Sequence, residues 1–101
     1  MDTYAIEKAR RCGLRTVKFF PAEAAGGVEM IKALSGPYRD LKFIPTGGIN
    51  GENLVDYLAL KQVAACGGSW MVKSALIDSG DFAQIRRLTA EAAEQVNRVR
   101  R

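Results

Sequence analysis

The sequence predicts an α/β fold of parallel strands with outer helices, and three observations carry that reading. Short runs rich in β-branched and aromatic residues alternate with segments of helical period. Glycine or proline punctuates most changes of period. The connections are short, which implies parallel strands joined by right-handed crossovers, with functional loops gathered at the strands' C-terminal ends. The 101 residues, 48% hydrophobic and 26% charged, suit one folding unit, 1–101, with a single core.

Tyr4, Ala5, Ile6, Ala9 and Cys12 fall loosely on one stripe, predicting a helix over 2–12 that Gly13 ends. Leu14 to Phe20 is β-branched and aromatic and stops at Pro21, predicting a strand over about 15–20. Gly26-Gly27 and Gly36-Pro37 bracket a helix of two to three turns over 28–34. Leu41-Lys42-Phe43-Ile44 runs into Pro45-Thr46-Gly47-Gly48, a second strand over about 42–46. Asn50 is then placed to cap a helix over roughly 52–60, with Leu54, Tyr57 and Leu58 inward. Val63-Ala64-Ala65-Cys66 predicts a third strand over about 63–67, broken by Gly67-Gly68 and followed by a short helical turn. Asp81 opens a long terminal helix that spaces Phe82, Ile85, Leu88, Ala92, Val96 and Val99 by threes and fours.

Fifteen Lys and Arg against eleven Asp and Glu leave a charge of +4, which suits a phosphorylated or carboxylate ligand and is too diffuse to indicate nucleic acid. The clusters Lys8-Arg10-Arg11 and Arg98-Arg100-Arg101 read as solvated helix ends. There is no histidine, and Cys12 and Cys66 match no metal-ligand spacing, so neither a metal site nor another cofactor is expected. The N-terminus has no apolar run of signal-peptide length, and no run approaches the roughly 20 residues of a membrane span. A soluble protein of the cytoplasm, with no membrane partner, is the expectation.

Lys18 stands out. In a strand over 15–20, Thr16, Lys18 and Phe20 share one face, and Val17 and Phe19 the other. If Val17 and Phe19 pack against helices, Lys18 points into the space a barrel would enclose. A lysine there must pair with an acid or lose its proton, and burial lowers an amine from its usual pKa of about 10.4 toward a neutral nucleophile for a carbonyl carbon. The alternative is an edge-strand lysine whose amine reaches water. Pro45-Thr46-Gly47-Gly48 and Gly67-Gly68-Ser69-Trp70 each put a glycine pair directly after a strand, where backbone N–H groups can approach an anion. One such pair is an ordinary tight turn, whereas two on consecutive strands suggest a phosphate site of the kind built by the last strands of a (β/α)8 barrel. Ser69 adds a hydroxyl, and Thr46 one that could bind a carboxylate. Glu23, the only carboxylate near this end in sequence, reads as a loop or helix-start acid rather than a general base.

The ordered set KFFPAEAAGG (Lys18 to Gly27), GPYRDLKFIPTGGIN (Gly36 to Asn50), NLVDYLAL (Asn53 to Leu60) and GGSWMV (Gly67 to Val72) resembles the C-terminal part of the 2-keto-3-deoxy-6-phosphogluconate (KDPG) and 4-hydroxy-2-oxoglutarate (KHG) aldolase family. The resemblance implies the last three βα units of a (β/α)8 TIM barrel and a metal-free class I aldolase, usually a homotrimer. Its substrate would be the phosphorylated keto-deoxy sugar acid, cleaved to pyruvate and glyceraldehyde 3-phosphate. The alternative 4-hydroxy-2-oxoglutarate would give pyruvate and glyoxylate. Carried over by motif, Lys18 forms the imine, Phe20 and Thr46 line the pyruvyl end, and Gly47, Gly48, Gly68 and Ser69 surround the phosphate. The family's glutamate base and carboxylate-binding arginine belong to earlier strands, so this chain resembles a fragment without them. The competing reading is a non-catalytic phosphate-binding or assembly module.

Overall fold

A computed structural model describes residues 2–100. The first helix, α1 (Thr3–Arg11), begins where Asp2 accepts the Ala5 amide at 2.9 Å. It ends in paired bonds from Gly13 N–H to Arg10 O and from Leu14 N–H to Ala9 O, the two closures that a glycine after a helix permits. Only Ile6 of its apolar stripe is buried. Tyr4 and Cys12 are exposed. Tyr38 instead clamps the helix from below, donating to Glu7 at 2.9 Å under the Arg10 guanidinium.

Strand β1 (Thr16–Phe19) pairs in parallel with β2 (Lys42–Pro45), Thr16 opposite Lys42 and Phe19 opposite Pro45. Both strands alternate as the pattern predicts: Val17, Phe19, Phe43 and Pro45 are buried, while Thr16, Lys18 and Lys42 are exposed. Phe19 and Phe43 meet edge to face at 6.2 Å. Helix α2 (Gly27–Ser35) covers this buried face with Ile31 and Leu34.

The expected third strand forms only as two parallel bridges, Val63 to Phe43 and Gly67 to Thr46. Three residue steps along β2 are matched by four along the third segment, so one residue is extra and the ladder cannot run continuously. Its hydrogen bonds survive at the ends, Ala64 N–H to Phe43 O and Gly67 N–H to Pro45 O, both 2.9 Å. The segment therefore still lies beside β2.

Helix α3 (Leu54–Leu58) is shorter than the 52–60 expected, because the Asn50 side chain takes the amides of Glu52 and Asn53 into a turn before the helix starts. Its inward residues are those expected, Leu54, Tyr57 and Leu58. A 3₁₀ turn (Trp70–Val72) and α4 (Ser74–Asp78) follow, and then α5 (Phe82–Arg100), whose first turn Asp81 caps through the Gln84 amide. Only the second half of its stripe, Ala92, Val96 and Val99, packs on the core. Phe82 is 65% exposed. The basic side chains of α1 and α5 do gather in their last turns, as expected; Arg101 lies outside the described residues.

Candidate active site

The C-terminal ends of β1, β2 and the third segment converge on a cleft of about 320 Å³ lined by Phe20, Thr46, Gly47, Gly48, Ile49, Gly68 and Ser69. Six of these seven are the residues singled out from sequence for substrate binding. Residues 19 to 49 positions apart in the chain meet because both glycine loops leave the same end of the parallel strands.

Lys18 lies one pleat below, on the face opposite Val17 and Phe19, with its Nζ 5.0 Å from the centre of the Phe20 ring. Among the described residues nothing packs over it, so the expected burial is not observed and Lys18 is exposed. Alternation set the direction of the side chain correctly. What would desolvate it is not supplied by any local segment.

The loop 46–48 has its carbonyls occupied. Thr46 O accepts from Ala22 N–H at 2.8 Å, Gly47 O from Glu23 N–H at 3.1 Å, and Gly48 O from Asn53 Nδ2 at 2.9 Å. In a trans peptide the next residue's N–H points opposite to each carbonyl, so the amides of Gly47, Gly48 and Ile49 face away from all three donors. The Gly47 amide faces Gly67 O across the Thr46–Gly67 bridge, whereas those of Gly48, Ile49, Gly68 and Ser69 meet no acceptor among the described residues. Four unpaired donors border one concavity, an arrangement that can accept an anion. Gly47 (φ +104°) and Gly48 (φ +78°) hold a backbone conformation that side chains resist, and a Cβ on Gly48 would stand 2.6 Å from Glu23 Cγ. At Gly68 a Cβ would run into the Trp70 ring at 2.2 Å, so the indole packs directly against that glycine.

Glu23 is not a free carboxylate. The Tyr57 hydroxyl donates to Oε2, and Asn53 Nδ2 stands 3.3 Å from Oε1. Burial pushes the Tyr57 phenol well above its ordinary pKa, and the bond to Glu23 and its charge add to the rise. Sequence reading missed this network and the Ile49 amide. Tyr57 sits in a stripe that marks it only as core, and a backbone donor has no signature in residue type.

Residues 1–88 match the aldolase family described as KDPG and KHG aldolase. The chain belongs to this family. A 2-dehydro-3-deoxy-phosphogluconate aldolase of Haemophilus influenzae is 54% identical over 90 residues, covering 89% of this chain and 42% of that protein. One from Pseudomonas aeruginosa is 50% identical over 96 residues, covering 95% and 44%. The crystal structure of a KDPG aldolase from Legionella pneumophila, with pyruvate captured as a covalent carbinolamine, superposes with a TM-score of 0.83 at 42% identity, covering 86% of this chain and 42% of that one. A Zymomonas mobilis family member solved with 3-phosphoglycerate gives 0.82 at 34%, covering 90% and 42%. This chain thus spans less than half the length of the KDPG aldolases it matches.

Proposed function

We propose that the chain supplies the amine and the phosphate site of a class I aldolase acting on a phosphorylated 2-keto-3-deoxy sugar acid, and on 4-hydroxy-2-oxoglutarate through the same pyruvyl end. The observation that carries this reading is the cleft itself. Phe20, Thr46 and two glycine loops with unsatisfied amides border it, and Lys18 stands on the same sheet face beside Phe20. The carbinolamine in the Legionella relative and the phosphorylated acid bound in the Zymomonas relative support an amine and an anion site in the family.

In this mechanism the neutral Lys18 amine adds to the C2 carbonyl of the keto acid, giving a carbinolamine that loses water to an imine. Protonated, the imine accepts the electron pair released as the C3–C4 bond breaks, and glyceraldehyde 3-phosphate departs. Protonation of the resulting enamine and hydrolysis release pyruvate and regenerate the amine. Thr46 and Phe20 border the pyruvyl end, and the phosphate sits at the Gly47 turn on the amides of Gly48, Gly68 and Ser69, with the Ser69 hydroxyl. Among the described residues no carboxylate lines the cleft, and the C4 hydroxyl proton leaves to solvent in this mechanism.

The same reading makes residues 1–101 the last three βα units of a TIM barrel, folded as one unit, from a cytoplasmic enzyme that assembles as a trimer. A second reading, an assembly or phosphate-binding piece without chemistry, is favoured by the exposed position of Lys18. Reductive trapping separates the two. Treatment with pyruvate and borohydride should add pyruvate to the peptide containing Lys18, weakly, and Lys18→Ala should abolish the adduct. An unlabelled folded protein, or a label that survives the substitution, selects the second reading.

A further inference from the structure

The phosphate loop owes its shape to side chains that lie outside the cleft. Asn53 is the centre of the arrangement. Its Oδ1 accepts the Asn50 amide at 2.8 Å, which orients the carboxamide so that Nδ2 faces Gly48 O at 2.9 Å and Glu23 Oε1 at 3.3 Å. Glu23 is gripped from the other side by the buried Tyr57 hydroxyl, and its stem leaves no room for a Cβ on Gly48. The Glu23 main chain also holds Gly47 O. Two consecutive peptides are thereby turned with their carbonyls toward Glu23 and Asn53 and their N–H groups the other way.

We propose that Asn53 and Glu23 are positioning residues for anion binding, which fix the Gly47–Gly48 and Gly48–Ile49 peptides with the N–H groups of Gly48 and Ile49 presented to the cleft. This rests on the phosphate reading of the cleft given above. Glu23 is anionic, so it would repel a phosphate that it touched; its contribution is to hold the loop by its stem and by the acceptors it offers Tyr57 and Asn53. If the carbonyl of Gly48 loses its donor, the peptide joining Gly48 to Ile49 is free to rotate, and its N–H leaves the cleft.

The test is a titration of the whole chain with inorganic phosphate, followed by the amide shifts of Gly47, Gly48, Ile49, Gly68 and Ser69. Asn53→Ala removes the donor to Gly48 without bringing a second carboxylate up to Glu23. It should weaken binding about tenfold, the effect of one hydrogen bond, and should abolish the phosphate-induced shifts at Gly48 and Ile49 while leaving those at Gly68 and Ser69. Glu23→Gln keeps the stem and an acceptor for Tyr57 while removing a negative charge, so it should bind phosphate at least as tightly as the parent. Glu23→Ala should weaken it. A residue that merely stabilises the fold would move all five amides together or none. Unchanged affinity and shifts in Asn53→Ala would overturn the positioning role while leaving the phosphate site intact. Absence of shifts at all five amides in the parent chain would remove the phosphate site and the positioning role with it.

Discussion

At Tyr57, burial and a neighbouring carboxylate act in the same direction. Both favour the neutral phenol, so the folded chain holds this proton more tightly than the unfolded chain. The resulting stability is complete below about pH 10, the ordinary tyrosine value, and is lost as pH rises beyond it. Thermal melts between pH 8 and 11 should show a fall that Tyr57→Phe reduces. The substitution should itself cost about 1 kcal/mol at neutral pH, the usual worth of one hydrogen bond. A second residue-scale expectation concerns Gly48. Its left-handed backbone and the 2.6 Å approach to Glu23 mean that Gly48→Ala should destabilise the chain by about 1–3 kcal/mol, measured by urea unfolding. An alanine accepted without loss would show that the loop is not held against Glu23.

Among the elements, those marked by local chemistry were legible in the sequence. Gly13 ends α1, and Gly26-Gly27 and Gly36 bound α2, whereas the cap by Asp2 and the contact of Phe19 with Phe43 emerge only in the structure. Leu54, Tyr57 and Leu58 could be assigned inward by spacing even though α3 proved shorter. The third strand was not legible in detail, because a one-residue bulge leaves the apolar run Val63 to Cys66 unchanged while interrupting the ladder. The six candidate cleft residues were legible as motifs on consecutive strand ends. The clamp by Asn53 and Tyr57 was not, since it depends on contacts across 30 and 34 positions. The two-strand core should be intolerant of truncation. Phe43→Ala removes a fully buried ring and its partner contact with Phe19, a loss of about 3–5 kcal/mol, enough to unfold most of the population in a calorimetric or denaturant experiment.

For the whole molecule, the imbalance between the two sheet faces is the dominant feature. One face is sealed by α2 and the core, while the other carries exposed Lys18, Phe20 at 55% exposure and half-buried Ile44. The radius of gyration is 15.0 Å, against about 13 Å for a compact chain of this length. Open parallel strands whose uncovered face mixes apolar and charged side chains favour association. Sedimentation at low micromolar concentration should therefore find oligomers or a dye-binding, loosely packed state, and a cooperative monomer that binds no hydrophobic dye would show that the exposed face is stable alone.

The central claim is that Lys18 and the glycine loops form one site, and comparative reductive trapping tests it most directly. Borohydride is added to the chain with pyruvate or with the phosphorylated keto-deoxy sugar acid at equal concentration, and the modified Lys18 peptide is quantified by mass spectrometry. The phosphorylated acid should label Lys18 more efficiently, and Gly48→Ala should remove that advantage, read as the ratio of the two labels within the folded variant. Equal labelling by both acids in the parent chain, or an advantage that survives Gly48→Ala, would contradict the account, because amine and anion site would then act independently.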